Sequence, residues 1–270
     1  MPDIFHEQQA ANAFSKQAPL FDSIYDNDFI VQYKRERVRA HVTGFLNPQS
    51  VILELNAGTG EDAVYFAKAG HTIHATDISE AMQNVLQQKI KSCGVEEKVT
   101  TEICSFNQLE NLKNKGPYDF VFSNFAGLNC TSDLQEVLQD CSALIKQNGY
   151  LTVVVMPSFC LWEFMLLFKG NFKTAFRRFA GKQGAEAHVE GKFFRCWYYN
   201  PSFIKQTLQK DFKVIGLEGL CVILPPSYFK NFSTKNKKLF AFFKKAEHKL
   251  KSLWPFRNLG DYYILTLQKK

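Results

Sequence analysis

Between Val51 and Gly60, and again at Asp77, the chain carries residues whose types and spacing suit the binding of a nucleotide. Asn56-Ala57-Gly58-Thr59-Gly60 is a glycine-rich turn. Glycine lets the backbone approach a ligand closely, and the free amides at the start of a following helix face whatever sits there. Asp77 adds a carboxylate that accepts both hydroxyls of a ribose. These groups act together only if a strand, a turn, a helix and a second strand hold them. Val51-Ile52-Leu53-Glu54-Leu55 has the length and composition of a buried parallel strand. A helical pattern follows from Glu61 to Lys68, and Thr72 to Thr76 is a second strand that delivers Asp77 at its C-terminal end.

Two kinds of fold use such a corner. Gly58-Thr59-Gly60-Glu61-Asp62-Ala63 fits the dinucleotide fingerprint G-x-G-x-x-G/A, with Asp77 close to the spacing expected of the ribose acid. That reading makes the chain a nicotinamide-dependent (NAD(P)) oxidoreductase. Glu54 argues against it, because a dinucleotide fold keeps an apolar residue inside the first strand. Glu54-Leu55-Asn56-Ala57-Gly58-Thr59-Gly60 instead resembles the first motif of the class I S-adenosylmethionine-dependent methyltransferases, an acid followed by a glycine-rich turn. The chain departs from that motif at Asn56, where the family has its first glycine; asparagine tolerates a left-handed backbone, so the turn is kept.

The resemblance implies S-adenosyl-L-methionine as cofactor, with Glu54 toward the methionine amino end. Asn56, Ala57, Gly58 and Gly60 then lie against the cofactor backbone-first, and Asp77 grips the ribose. Ile78 packs on one adenine face, with Met82 in the helix behind it. At the end of the third strand, Val99 to Cys104, the family places an acid for the adenine amino group; Ser105 and Phe106 stand here, offering a hydroxyl and a backbone amide. The fourth strand, Tyr118 to Phe122, leads into a loop in which Asn124, Phe125 and Asn129 are candidates for contact with cofactor or acceptor. It lacks the N-P-P-Y tetrapeptide of amino-nitrogen methylation. Asp77→Ala and Gly58→Val are expected to abolish cofactor binding without unfolding.

The rest of the chain reads as a doubly wound α/β sheet. A helix starts at Ser79 and stops near Gly94, and another runs from Ser132 to Asn148-Gly149. Tyr150 to Met156 is a fifth strand and Asp211 to Glu218 a sixth after a helix at 201–210. Asp261 to Gln268 closes the sheet as an antiparallel seventh. In the family's terms, residues 1–270 are one Rossmann-like domain. Residues 1–50 form an N-terminal helical lid, in which Tyr33 and Arg37 are candidates for contact with the methionine end or substrate. Residues 51–156 are the cofactor-binding half, 157–200 and 220–259 are insertions on the substrate side, and 201–219 and 260–270 carry the last strands.

Composition narrows the function further. The net charge of +7 equals the surplus in the stretch 230–251, which has eight lysines against one acid, Glu247. One basic element, rather than a basic surface, argues against a nucleic-acid groove. The same stretch interleaves aromatics with lysines, so peripheral contact with an anionic membrane through 230–254 is the alternative to a plain solvated face. Seven cysteines without C-x-x-C spacing suggest reduced thiols in a cytoplasmic protein and give no support to a metal site. The first insertion is aromatic, which suggests an apolar acceptor such as a quinone-, polyketide- or lipid-like molecule. His188, Tyr198 and Tyr199, with Glu190 beside them, are its candidates for a catalytic base. A non-catalytic cofactor-binding module is the third function class.

Overall fold

The computed structural model describes residues 4–229 and 232–270; Lys230 and Asn231, within the basic stretch, lie outside them. Its centre is a seven-stranded sheet in the order β3-β2-β1-β4-β5-β9-β8. The strands are β1 (Val51–Leu55), β2 (Thr72–Asp77), β3 (Val99–Ile103), β4 (Tyr118–Ser123), β5 (Ile145–Val155), β8 (Phe212–Leu220) and β9 (Tyr262–Lys269). β1 to β5 pair in parallel, and β9 is antiparallel to both of its neighbours, β5 and β8. An open dinucleotide fold ends in a parallel sixth strand. The inserted antiparallel β9 makes this sheet the class I methyltransferase arrangement instead.

Helices cover both faces. On one side lie α3 (Phe29–Thr43), α4 (Glu61–Lys68), α5 (Glu80–Cys93) and α11 (Lys237–Leu250), with Val38, Val42, Phe66 and Leu86 fully buried against Ile52, Ile73 and Phe120. On the other, α6 (Leu134–Leu144) and α9 (Pro201–Leu208) bury Leu138, Cys141 and Ile204 against Leu53, Val121 and Val153. The two faces of β1 therefore feed two cores, which is why its five residues are apolar except Glu54. Local signals explain the ends of α5: the Ser79 hydroxyl accepts the Met82 amide, and Gly94 takes the left-handed conformation that closes the helix.

Three features differ from the sequence reading. α6 stops at Leu144 rather than Asn148, and the chain enters β5 directly; Asn148, at φ +62, and Gly149 form a kink within that strand. Residues 185–196, within the first insertion, form a hairpin of β6 (Ala185–Val189) and β7 (Lys192–Cys196) rather than an irregular lining. The basic helix α11 is anchored rather than merely laid on the surface. Its single acid, Glu247, is fully buried and accepts the backbone amides of Cys221, Val222, Ile223 and Leu224.

Ahead of the sheet lie α1 (Phe5–Ser15) and α2 (Phe21–Asp26). α1 is held by a small cluster in which Ala10 and Ala13 pack on Cys130, Phe194 and Cys196. The first insertion carries two short helices, α7 (Leu161–Phe164) and α8 (Phe172–Phe176), and α10 (Phe232–Lys235) precedes α11. All seven cysteines are free thiols. Among the described residues no helix is long and apolar enough to cross a membrane.

Candidate functional site

At the carboxyl ends of β1, β2 and β4 the sheet opens into a cleft of about 350 Å³, within the range of small-ligand sites. Its floor is the turn after β1. Asn56, Gly58 and Gly60 all have positive φ (+47, +55 and +77), so the backbone turns tightly before α4 begins. A Cβ on Gly58 would meet nothing within 4 Å, because the space above it is the cleft. Gly60 faces the other way, where a Cβ would strike Leu86. It shapes the turn without lining the cleft.

Asp77 ends β2 beside that floor. Its Oδ2 accepts the Gly58 amide at 2.9 Å and its Oδ1 the Ser79 amide at 2.8 Å. A carboxylate has about four acceptor positions, so two remain for a ligand's hydroxyls. Burial raises the Asp77 pKa while these two amides lower it.

Glu54 is buried at the head of the cleft, and its Oε2 has no hydrogen-bond partner. Burial, then the nearby charge of Asp62, pushes its pKa well above the usual carboxylate range. Asp62 itself is committed: Arg39 Nε lies 2.6 Å from its Oδ1 and Asn124 Nδ2 2.7 Å from its Oδ2. A buried acid left with an orphaned oxygen is costly unless a donor arrives. An ammonium group seated there supplies that donor. The residues present thus fit the amino-acid and ribose ends of S-adenosylmethionine.

Of the residues singled out in the sequence, Glu54, Asn56, Ala57, Gly58, Asp77, Ile78, Met82, Phe106, Asn124 and Phe125 come together around this cleft. The Asn56 side chain is spent on the β4 loop: it accepts from Ser123 Oγ at 2.5 Å and donates to the Asn124 carbonyl at 2.9 Å. Asn129 is buried behind the loop, bonding the Met156 and Trp197 backbone, and does not line the cleft. Ser105 also lies behind the wall.

Tyr33 and Arg37 are elsewhere, and this corrects the reading of α3. Arg37 donates to the Tyr33 hydroxyl at 2.9 Å and to Glu218 at 2.6 Å, facing β8 and α11. The helical period sets Val31, Lys34 and Arg35 on the opposite side, and those three line the cleft. The three catalytic candidates are also outside. His188 is exposed on the hairpin, across from Phe193. The Tyr198 ring lies under the Arg178 guanidinium, and the Tyr199 hydroxyl donates to the Thr131 carbonyl. The hairpin turns His188 onto its outer surface, and the two tyrosines, just past β7, are held against Arg178 and Thr131, which a loop reading of the segment does not foresee. The insertion's aromatics do not line the cleft either; Phe14, Phe21, Tyr25, Phe106, Phe125 and Tyr262 do.

Sequence reasoning missed Glu7. From α1 it reaches the end of β3, where its carboxylate accepts the Ser105 hydroxyl, the Phe106 amide at 3.2 Å and Asn107 Nδ2 at 2.7 Å. An acid thus does stand beside Ser105 and Phe106, supplied from 98 residues upstream. No local pattern could have revealed it.

Away from the cleft floor, Cys160, Glu163 and Asp261 form a group of potential metal ligands, their ligand atoms within 4.8 Å of one another. Arg178 bridges it, lying 2.6 Å from Glu163 and 2.7 Å from Asp261. The cluster is an ion-pair network.

Residues 52–149 match the family model described as "Methyltransferase domain". No curated protein sequence matches the chain. Among solved structures it is similar to magnesium protoporphyrin IX methyltransferase from Synechocystis PCC 6803 with bound SAH, at 15% identity and TM-score 0.60 over 98% of this chain and 100% of that one. A second is Burkholderia thailandensis 1,6-didemethyltoxoflavin-N1-methyltransferase with 1,6-didemethyltoxoflavin and S-adenosylhomocysteine, at 16% and 0.57 over 97% and 88%. A third is the [4+2]-cyclase SpnF, at 14% and 0.62 over 97% and 96%. At such identities the likeness is one of fold.

Proposed function

We propose an acceptor and a set of residue roles for a chain that is a class I S-adenosylmethionine-dependent methyltransferase by its fold and by the methyltransferase domain at residues 52–149. The acceptor is an apolar small molecule, and the protein works in the cytoplasm. The observation that carries the roles is the orphaned Glu54 Oε2 at the head of the cleft. Glu54 takes the ammonium of the cofactor's methionine end, and Asp77 takes the ribose hydroxyls. The Gly58 backbone lies along the cofactor, Ile78 and Met82 pack on the base, and Glu7 with the Phe106 wall receives the base edge. Residues 1–50 act as the lid.

S-adenosylmethionine supplies an activated methyl on a sulfonium. What the chain contributes is position and the exclusion of water, since charge is partly cancelled in the displacement. Phe14, Phe21, Tyr25 and Phe125 close the cleft with apolar surface, which supports an apolar acceptor entering beside α2. His188, Tyr198 and Tyr199 are not assigned a catalytic role. The outward side of α11 and the turn after it expose Leu239, Phe242, Leu253 and Trp254 among Lys238, Lys245 and Lys249. That combination supports peripheral docking on anionic lipid, where an apolar acceptor would be held.

Isothermal titration with S-adenosylmethionine, S-adenosylhomocysteine and NAD tests the cofactor roles. Binding of the first two, weakened at least tenfold in Glu54→Gln, is the expected result; binding of NAD alone overturns it. Release of S-adenosylhomocysteine with apolar but not polar acceptor pools tests the acceptor. Co-sedimentation with phosphatidylserine vesicles at low salt, lost at high salt, tests the docking.

A further inference from the structure

The first insertion is built inside out. Its charged groups are the buried ones: Glu163 and Arg178 are joined at 2.6 Å in the interior, and Arg178 also reaches Asp261 at 2.7 Å. Its apolar groups are the exposed ones. Phe168 is 87% exposed, and Met165, Phe172, Phe176 and Phe179 lie between 47% and 63%. A water-facing element has the reverse polarity, and a contiguous apolar surface of this kind marks an interaction site.

The five positions step by 3, 4, 4 and 3 residues, the spacing a buried helix gives to its core face. Here Gly170 intervenes in the left-handed conformation, at φ +73, the segment breaks into short turns of which α8 is one, and the five side chains stay outside. The Phe176 and Phe179 rings are 6.1 Å apart, and Phe159 lies 6.5 Å from Phe179. Between them, Arg177 and Arg178 hold the segment down through Glu163, so the rings stand on a fixed base.

Charge selects what covers these rings. From Pro157 to Ala185 the chain has five basic residues and one acid, and that acid is the buried Glu163. Lys169, Lys173 and Lys182 are exposed with no carboxylate of their own segment left to answer them. A second copy, meeting the first across a twofold axis, would set these lysines against one another. An anionic bilayer suits both features, since its headgroups take the lysines and its hydrocarbon takes the rings. The segment is rooted at the carboxyl edge of the sheet, shortly after β5 ends, and Asp261 in its ion-pair network adjoins Tyr262 in the cleft wall.

We infer that residues 165–179 insert into an anionic bilayer, with Met165 and the four phenylalanines entering the hydrocarbon and Lys169, Lys173 and Lys182 meeting the headgroups. The inference rests on the reading of the protein as one that docks on anionic lipid. It assigns the inserting element to the first insertion rather than to α11, and it gives the exposed aromatics, which do not line the cleft, a role of their own.

The test uses the full-length protein carrying Trp254→Phe, which removes the exposed indole beyond α11, as background for Phe168→Trp and Phe172→Trp. The vesicles are phosphatidylserine–phosphatidylcholine, with and without bromine on the acyl chains. Both tryptophan variants should show blue-shifted emission on vesicles and quenching by brominated lipid beyond that of the background. Phe168→Ser combined with Phe172→Ser should lower vesicle affinity about tenfold or more, as loss of inserted apolar area implies. Both side chains are exposed, so the melting temperature should hold, which separates lost insertion from lost fold. Sedimentation with vesicles but no quenching in either tryptophan variant overturns the insertion and leaves α11 as the docking surface. A wild type that sediments with no vesicle overturns lipid docking as a whole. Light scattering that shows a dimer of wild type and a monomer of the double serine variant, with vesicle affinity unchanged, makes the patch a contact between copies and overturns the inference.

Discussion

The Asp77 carboxylate accepts the Gly58 amide at the floor of the cleft, Oδ2 to N at 2.9 Å, so the acid proposed to hold the ribose also props the turn it works beside. The two jobs cannot be separated by truncation. Asp77→Ala is expected to weaken S-adenosylhomocysteine at least 100-fold, since it removes two charged hydrogen bonds of about 1.5–3 kcal/mol each. It should also lower the melting temperature by several degrees, against the sequence-based expectation of a purely functional loss. Calorimetry and a thermal melt on the same sample check both.

Gly58 and Gly60 are expected to fail differently. Gly58→Ala has room for its methyl and suffers only the left-handed backbone, about 1–2 kcal/mol. The sequence-based expectation for Gly58→Val is corrected in the same way, because a β-branched residue is strained at φ +55. In Gly60→Ala the new carbon would sit 1.9 Å from Leu86 Cδ1, so the fully buried Leu86 side chain must shift and the core beneath α5 repack. Gly60→Ala should therefore have the lower melting temperature, and Gly58→Ala the greater loss of ligand affinity per degree of destabilisation.

Glu218 predicts how the chain responds to acid. Burial opposes its ionisation, but bonds from His41 and Lys251 and the charge of Arg37 hold its pKa down to about 2. A carboxylate with a lowered folded pKa contributes stability above its unfolded pKa and loses it as pH falls toward the folded one. That window is about pH 5 to 2. After discounting for partial solvent screening, the contribution is about 1–2 kcal/mol. Urea melts at pH 7 and pH 3 should differ by about half that much less in Glu218→Gln than in wild type, since at pH 3 the folded carboxylate is still ionised.

Removing Glu247 should release the basic helix. Four amides, those of Cys221 to Leu224, share its carboxylate. Glu247→Ala strands them in the interior at about 1–3 kcal/mol per unsatisfied group, softened wherever water enters. Limited proteolysis should then cut near α11 at protease levels that leave wild type intact, and cleavage at the wild-type rate would refute the anchoring role.

The sheet was legible because each strand is a local pattern: an apolar run, a glycine or cap, and a helix period repeat between Val51 and Val155. The floor of the cleft was legible for the same reason, since Glu54, Gly58 and Asp77 act where their own strands end. What escaped is what arrives from a distance. Glu7 meets Ser105 across 98 residues, and Lys34 rather than Tyr33 faces inward because of how α3 is rotated on the sheet. The hairpin carried one local signal, Glu190-Gly191, whose positive φ values of +48 and +71 make its two-residue turn. Glutamate is rare at such a position, and the aromatic residues on either side read as an irregular lining. α11 reads as a surface helix by charge alone, whereas its one acid decides where it docks.

The wall of the cleft runs from Glu7 in α1 to Tyr262 in β9, so the first and last elements of the chain must both be in place before the chamber is enclosed. A fragment trimmed to 51–156 would keep the strands, the turn and Asp77, yet be roofless. Such a piece would leave a sulfonium open to bulk water and lack Lys34 and Glu7 altogether. For this protein the recognisable segment and the working unit are different lengths of polypeptide.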